Sequence, residues 1–550
     1  MASIVDFDAA ALTHLLSDLG IRKAWLSMLR TSLQDRPDLQ YIFDSREFRG
    51  AQILEADLLA GLTIGEISVL YEYSHAIEDA DARKSNGLYF TPDDVASFMA
   101  GFSERFPVGK WLDPCSGIGN LSWYLVAVQD DPEEFLRTRM ILSDRDELAL
   151  LIARTLLTSA FQRTRTGLFH EIQSNFAVFD FLSVADGDGG ILFPDGDGLG
   201  EIPEHDFVIV NPPYLATKRK DPRFETGRSA DLYAYFLENI VKTSGGFIAV
   251  TPQSFTNARK FEPLRALLLD RYRNLTVLCF DNIPGNVFSG IKFGSRNSNT
   301  ANSTRAAITV ALPGDGSRRI TSLMRWRSAE RQQMFANVER FASPMELGID
   351  YFPKVSPVFR ELYDMLLDAP RLSSLCHKSP TEYPLFVPAA PRYFISALKA
   401  GVQRVSQRVL YFRSAEDRDR AYLLLNSSLM YWWWRVRDGG MTLSQETLLT
   451  VPIPDFCIDP VLVSLLEGSE AINRVFKLNA GVAQENVKHP LELTSRLNEL
   501  VAPHYADRLI LTHENTELVQ IPFLDSVHEA EPSDCSVTRS LDTVTATPEL

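Results

Sequence analysis

The residues best suited to chemistry are Asn211-Pro212-Pro213-Tyr214, directly behind the apolar run Phe207-Val208-Ile209-Val210. Two consecutive prolines donate no main-chain hydrogen bonds and stiffen a turn. Their carbonyls, with the Asn211 amide oxygen, become acceptors in fixed positions. A planar amine with two N–H groups matches such acceptors. Tyr214 adds a flat face on which a heterocycle can stack. The bland reading is a rigid loop, and two prolines behind a buried strand argue against it. A second stretch reads Trp111-Leu112-Asp113-Pro114-Cys115-Ser116-Gly117-Ile118-Gly119-Asn120. An acidic residue ends a strand, a glycine turn follows and a helix begins, the usual seat of a nucleoside cofactor in an open α/β sheet. The loop lacks the glycine spacing and Lys-Ser/Thr of a phosphate-binding loop. A cofactor that presents an adenosyl group rather than phosphates is therefore expected. Asp144 ends the next apolar run, Ile141-Leu142-Ser143, and suits a bidentate grip on ribose hydroxyls. Asp146 competes for that role. Asp180-Phe181 could hold an adenine amine and ring, although a helix cap and a core phenylalanine are the commoner uses of such residues. Gly87-Leu88-Tyr89-Phe90-Thr91-Pro92 precedes the first helix of the same region.

These motifs need a scaffold that alternates strands and helices. Apolar runs predict strands at Lys110–Asp113, Met140–Ser143, Phe207–Val210, Gly246–Thr251, Thr276–Asp281 and Ala306–Leu312. Amphipathic spacing predicts helices at Pro92–Phe102, Asn120–Val128, Glu147–Phe161, Asp231–Lys242 and Glu262–Tyr272. This alternation implies an α/β fold with a mostly parallel sheet covered on both faces. Ala9–Leu33 and Ala51–Ile77 carry helical periodicity, as do Ala421–Val436 and residues 461–510. The expected organisation is a helical region at 1–84, a catalytic domain at 85–345, a mixed α/β domain at 346–460, a helical region at 461–525 and an acidic, disordered tail at 526–550.

Composition narrows the function class. The 550 residues carry 55 basic and 71 acidic side chains, a net charge of −16, which argues against a nucleic-acid coat. The balance is uneven: residues 215–273 hold 11 basic and 6 acidic side chains, and residues 391–440 hold 9 and 4. An acidic protein can still present a basic cleft. No apolar run approaches the roughly 18 residues of a membrane span. Met1–Ala10 has two aspartates and no basic residue, so no secretory signal is expected, and the protein is expected to be cytoplasmic. Five scattered cysteines (Cys115, Cys279, Cys376, Cys457, Cys535) form no C-x-x-C pair and fit a reduced compartment.

Taken in order, the motifs resemble those of S-adenosylmethionine-dependent DNA methyltransferases that modify the exocyclic amine of adenine. Gly87–Pro92 is similar to their motif X, Asp113–Gly119 to motif I, Asp144 to motif II, Asp180-Phe181 to motif III and Asn211–Tyr214 to motif IV. Asp231-Leu232-Tyr233 with Phe236 resembles motif V, and Val287-Phe288 motif VIII. Motif X ahead of motif I, with a variable region at the C-terminus, is the gamma arrangement found in type II restriction-modification systems. The resemblance covers residues 85–315 by motif and extends loosely to 460. It implies a Rossmann-like methyltransferase sheet with a target-recognition domain at 346–460. It also implies a cofactor held by Tyr89, Thr91, Asp113, Pro114, Cys115, Gly117, Gly119, Asp144, Asp180 and Phe181. Asn211, Pro212, Pro213 and Tyr214 would carry the chemistry, and Tyr214 and Phe288 would stack on a flipped-out base. Double-stranded DNA would be the partner, contacted by Lys218, Arg219, Arg392, Arg404, Arg408 and Arg413, with Arg418 and Arg420 as further candidates.

The resemblance implies no metal. Asp186-Gly187-Asp188 and Asp195-Gly196-Asp197, within the long loop Ser183–His205, hint at calcium but lack the ligand spacing of an EF-hand. Ser289–Arg305 is a second long loop, suited to DNA contact or to disorder. Tyr431-Trp432-Trp433-Trp434 reads as core packing more readily than as a binding surface. Residues 1–84 are too few and too helical for a fused nuclease, so a cognate endonuclease would be a separate chain and the methyltransferase a monomer. A glutamine-amide protein methyltransferase makes the same chemical demand on N-P-P-Y, but would not need 200 residues after the sheet. N4-cytosine methylation is chemically close, and Asn rather than Ser before Pro-Pro-Tyr favours adenine.

Overall fold

The computed structural model describes residues 4–5, 9–78, 91–163, 166–182, 202–217, 220–289, 292–293, 304–345, 350–391, 393–404, 406–438, 442–479 and 482–528. Tyr89 with the rest of Gly87–Phe90, Lys218, Arg219, Arg392 and both Asp-Gly-Asp motifs lie outside the described residues. So do most of Ser183–His205 and Ser289–Arg305, and all of 529–550. Compactness divides the chain into two units. Among the described residues, one comprises the chain up to Val277 together with Asn286–Arg318, and the other comprises Leu278–Gly285 and the chain from Arg319 onward.

The first unit is built on strands β1 (Trp111–Asp113), β2 (Met140–Asp144), β3 (Phe176–Val178), β4 (Phe207–Val210), β5 (Gly246–Pro252), β6 (Asn274–Phe280, which passes into the second unit at Leu278) and β7 (Ala306–Leu312). Their order is β6-β7-β5-β4-β1-β2-β3. Pairing is parallel from β3 through β2, β1 and β4 to β5, with registers such as Leu112↔Ile141, Leu112↔Val208 and Val208↔Phe247. β7 runs antiparallel to β5, with Ile248 opposite Val310. The α/β class and the Rossmann-like, mostly parallel sheet are those expected from the sequence. Val208, Ile209 and Val210 are wholly buried, as a central parallel strand covered on both faces requires. Strand order reverses between β1 and β4. The loops leaving their carboxyl ends, 114–119 and 211–214, therefore open into one crevice.

Helix Glu147–Phe161 is capped by Asp146, whose carboxylate accepts from Leu148 N at 2.9 Å and Ala149 N at 3.2 Å. It is buried on almost every side because the N-terminal helices cover its outer face. Trp25, Leu29, Ile67 and Leu70 share one hydrophobic cluster with Leu148, Leu151, Ile152 and Leu156. Three local expectations are corrected here. Ala9–Leu33 is two helices, Ala9–Leu19 and Ile21–Ser32, because Gly20 takes a left-handed φ of 71° between them. Of Ala51–Ile77, only Ile64–Glu78 is helical. Helix Pro132–Thr138 was not foreseen; Asp131 caps it and proline starts it.

In the second unit, β8 (Arg318–Thr321) pairs antiparallel with β9 (Ala342–Pro344). Strands β10 (Cys376–His377), β11 (Pro384–Pro388) and β12 (Gln407–Phe412) form a sheet in the order β10-β12-β11. Ala421–Val436 is not one helix but parts of two, Ala415–Leu425 and Ser428–Arg437, which break at Asn426-Ser427. The Asn426 side chain bonds the Ala397 main chain in both directions, at 3.0 Å each, and so ends the first helix on a tertiary contact. The stretch 461–510, expected to be helical, contains a hairpin of β13 (Arg474–Asn479) and β14 (Val482–Val487). Alternation in that segment was weaker than the helical spacing on either side of it. The last described helix, Ile521–His528, runs past the expected start of the tail at 526. Among the described residues no helix is long and apolar enough to cross a membrane.

Four buried charges hold this unit. Asp281 Oδ2 accepts from Arg325 Nη2 at 3.2 Å and from Arg435 Nη1 at 3.1 Å, and Glu517 Oε1 accepts from Arg435 Nη2 at 2.9 Å. Arg325 also donates to the Tyr431 hydroxyl at 2.9 Å. Burial raises the Glu517 carboxyl, while Arg435 and Arg325 oppose that shift. Removing Asp281 takes the shared carboxylate from two guanidiniums in the interior. Asp281→Ala should destabilise the chain by about 3–5 kcal/mol in urea unfolding.

Candidate active site and cofactor cradle

The Asn211 amide is held from behind. Its Nδ2 donates to the Thr91 hydroxyl at 2.9 Å, and the Thr91 carbonyl accepts from Asn120 Nδ2 at 2.7 Å. Three separate sequence motifs thereby meet at one side chain. With the nitrogen of the amide committed to Thr91, its oxygen takes the opposite direction. The main chain is fixed as well, because the Cys115 thiol donates to the Asn211 carbonyl at 3.3 Å. Burial, then the neighbouring Asp113 and Asp144, push the Cys115 thiol well up, so it stays protonated and keeps that donor. Pro212 is buried, while Pro213 and Tyr214 are half-buried.

Tyr214 is anchored through its hydroxyl, which donates to the Val250 carbonyl at 2.8 Å at the carboxyl end of β5. Phe288 lies edge-on to it with ring centroids 5.8 Å apart, and Tyr233 at 6.4 Å. Phe288 is only 1% exposed, so in this arrangement its ring is packed rather than open. The loop beyond Tyr214 is stitched to helix Leu232–Thr243 by an antiparallel bridge, Ala216↔Asp231, with Thr217 N donating to Ala230 O at 2.9 Å. Ala230 takes a φ of 50°, a strained value for a residue with a Cβ.

The glycine turn after β1 is shaped by two left-handed residues, Gly117 (φ 53°) and Gly119 (φ 86°). They serve different purposes. A Cβ on Gly119 would meet Ala153 Cβ at 3.2 Å, so this glycine allows close packing on helix Glu147–Phe161. A Cβ on Gly117 would meet nothing within 4 Å, so open space lies in front of that backbone. Asp144 braces the turn: Oδ2 accepts from Gly117 N at 2.8 Å and Oδ1 from Asp146 N at 3.0 Å. Each oxygen keeps a further lone pair. Asp113 is buried and accepts from the Ser122 hydroxyl at 2.9 Å. Burial, partly offset by Ser122 and aided by the charge of Asp144, pushes its carboxyl up to about 7. Burial likewise raises Asp144. Phe181 is buried and stacks on Phe236 at 5.3 Å, and its carbonyl accepts from Asn239 Nδ2 at 2.9 Å. Asp180 lies 3.6 Å from Arg145.

Thr91, Asp113, Pro114, Cys115, Gly117, Gly119 and Asp144 are thus brought together around the crevice, next to Asn211–Tyr214. An adenosyl cofactor bearing positive charge suits this set. Open space faces Gly117, and burial raises the carboxyls of Asp113 and Asp144. Asn120 and Ser122 were missed by sequence reasoning, since at the start of a helix they read as ordinary polar residues. Of the arginines proposed from sequence, the described ones, Arg404, Arg408, Arg413, Arg418 and Arg420, belong to the second unit, and most are engaged there. Arg404 donates to Asn486 Oδ1 at 2.6 Å, and burial lowers it to about 10. Arg408 donates to Leu443 O at 2.8 Å, Arg420 to Phe456 O at 2.6 Å, and Arg418 pairs with Asp419 at 3.0 Å. Arg413 is exposed. Tyr431, Trp432, Trp433 and Trp434 are at most 5% exposed, as core residues.

Residues 140–288, which hold β2, the N-P-P-Y turn and Phe288, match the family model described as Eco57I restriction-modification methylase. The chain is similar to the modification methylase CviBIII of Paramecium bursaria Chlorella virus NC1A, 24% identical over 213 residues. That alignment spans 36% of this chain and 46% of the relative, less than half of its length. Among solved structures, the DrdV–DNA complex aligns over 69% of this chain and 44% of that one, at 13% identity and a TM-score of 0.41. The type IIG restriction endonuclease BpuSI aligns over 94% and 78%, at 12% identity and a TM-score of 0.40.

The raised Asp113 carboxyl carries a stability consequence with a definite sign. Between its unfolded value near ~3.9 and its folded value, the folded state binds the extra proton, so stability falls as pH rises through that window. Asp113→Asn keeps the Ser122 contact without the buried charge. Its stability advantage over the parent should be small at pH 5, grow to a few kcal/mol by pH 8 and flatten above that, as read by urea unfolding at each pH.

Proposed function

We propose that the protein is a site-specific DNA methyltransferase that transfers a methyl group from S-adenosylmethionine to the N6 amine of adenine. In this reading it protects a short recognition sequence from a cognate endonuclease on a separate chain, and it works as a cytoplasmic monomer. The observation that carries the reading is the Asn211 amide, fixed through its nitrogen by Thr91 so that its oxygen is left as an acceptor beside Pro212. An amine that donates both hydrogens to Asn211 Oδ1 and the Pro212 carbonyl takes on sp3 character, and its lone pair turns toward the methyl donor. Bound in the cradle, S-adenosylmethionine supplies an activated sulfonium methyl. Thr91, Asp113, Gly117 and Asp144 orient that donor, with Asp180 and Phe181 at the adenine end. Alignment then supplies most of the rate.

A base inside a duplex cannot reach such a crevice, so the adenine leaves the stack. Tyr214, pinned by its hydroxyl, offers the ring on which it rests, at about 1–3 kcal/mol per stacked base. Phe288 joins that platform by turning out of its packed position. Asparagine at the head of the motif and the gamma order of motifs favour adenine over cytosine. The more than 200 residues after the sheet favour DNA over a protein glutamine.

The deciding experiment is modification-sensitive sequencing of DNA from cells that express the chain, beside an Asn211→Ala control. N6-methyladenine in one short motif, absent from the control, is the expected result. No modified base from soluble, cofactor-binding protein would sink the reading. In purified protein, Asn211→Ala should lower transfer by at least ~10²-fold with cofactor binding retained. Thr91→Val should lower kcat about tenfold by freeing the Asn211 amide, and Thr91→Ser should restore it.

A further inference from the structure

We infer that Arg259 and Lys260 bind the phosphodiester backbone of the DNA strand that flanks the target base. This rests on the DNA-methyltransferase reading and adds a contact site for that substrate. Both residues belong to the short helical turn Arg259–Phe261, which follows β5 past its carboxyl end. They therefore lie on the same edge of the sheet as Asn211, where substrates of open α/β sheets bind.

Packed rings join this turn to the catalytic loop. Tyr214 meets Tyr233 at 6.4 Å, Tyr233 meets Phe261 at 5.2 Å, and the Lys260 ammonium sits 4.7 Å from the centroid of Phe261. A second link runs through the main chain. Asp231 bridges Ala216 just beyond the N-P-P-Y turn, and its carboxylate lies 3.7 Å from Lys260. The two cations are thus held in register with the loop that would receive the base.

Their chemistry suits an outside anion. Both side chains are exposed, and the Arg259 guanidinium has no partner among the described residues. Neighbouring Arg228 is committed: it donates to the Arg259 carbonyl at 3.2 Å and to Glu262 at 2.6 Å, which braces the turn. Lys260 has Asp231, but at 3.7 Å, with its ammonium end on the exposed side of a half-buried carboxylate, this is a loose pair. Burial holds the Asp231 carboxyl up at about 6 even with Lys260 beside it. In a protein of net charge −16, an unpaired arginine beside a loosely held lysine at the mouth of the crevice is an anomaly that a phosphate backbone resolves. Such contacts position the strand and carry no sequence information.

The test uses the full chain, S-adenosylhomocysteine and a mixed-sequence duplex of about 30 base pairs, whose affinity is measured across a salt series. Arg259→Gln and Lys260→Gln, singly and together, should each reduce the slope of log K against log salt by about one. On a duplex bearing the methylated motif, KM for DNA should rise on the order of tenfold in the double variant, with kcat and KM for S-adenosylmethionine unchanged. A slope and KM equal to those of the parent would overturn the inference, and so would weaker binding with an unaltered slope. Should the double variant fail to fold, Arg259→Gln alone decides, since its exposed guanidinium has no hydrogen-bond or ion-pair partner among the described residues. A parent chain that modifies no DNA at all would sink the methyltransferase reading itself, a result separate from a parent that methylates DNA and variants that match it.

Discussion

The candidate active-site crevice depends on the hydrogen bond from the Asn211 amide nitrogen to the Thr91 hydroxyl. An asparagine side chain has a donor end and an acceptor end of nearly equal shape, and nothing in its own covalent structure chooses between them. Thr91 makes the choice from outside the motif, and Asn120 fixes Thr91 in turn through its carbonyl. The remaining constraints on the loop follow the same logic. The Cys115 thiol holds the Asn211 carbonyl and the Val250 carbonyl holds the Tyr214 hydroxyl, so the stiffness that two prolines begin is completed by groups from other strands and loops.

The proposed cofactor cradle costs the fold stability. Asp113 and Asp144 are acids placed near each other in a buried position, and each is raised by that burial. A structure selected for stability alone would place neutral side chains there. Support comes from the N-terminal helices. The Tyr71 hydroxyl donates to Asp146 Oδ2 at 2.6 Å, and Asp146 in turn donates its amide to Asp144. Burial pushes the Asp146 carboxyl up, and bonds from His75 and Tyr71 outweigh it, so this acid lies below its ordinary value and remains a charged cap. The helical region is thus part of the cradle's foundation.

The second unit shows how an arginine-rich segment can mislead. Arg404, Arg408, Arg418 and Arg420 look available in the sequence, yet each donates to a carbonyl or an acidic or amide side chain of its own unit. Arg435 and Arg325 go further and sit buried with Asp281 and Glu517. Guanidinium groups serve such interior networks well because five fixed donors can satisfy several acceptors at once. Cation counts therefore say little about where DNA would lie; exposure and the absence of a partner say more.

The strands, the order of motifs and the glycine turn were legible in the sequence because each depends on local pattern. A buried parallel strand reads as an unbroken apolar run, and Phe207–Val210 and Ala306–Leu312 came out at their observed bounds. Helix Glu147–Phe161 did too, for its cap and its apolar spacing agree. Other features depended on distant partners and were invisible. Helix Ala421–Val436 read as continuous because Asn426 breaks it only through Ala397. Gly117 and Gly119 looked alike, although only one faces open space. The sequence by itself determined which groups could do chemistry, since residue type and local spacing limit what a side chain can donate or accept. Only the tertiary structure decided the direction of the Asn211 amide, the protonation of Asp113 and which arginines remain free. Those properties are set by neighbours tens or hundreds of residues away, through burial and hydrogen bonds that no local pattern encodes.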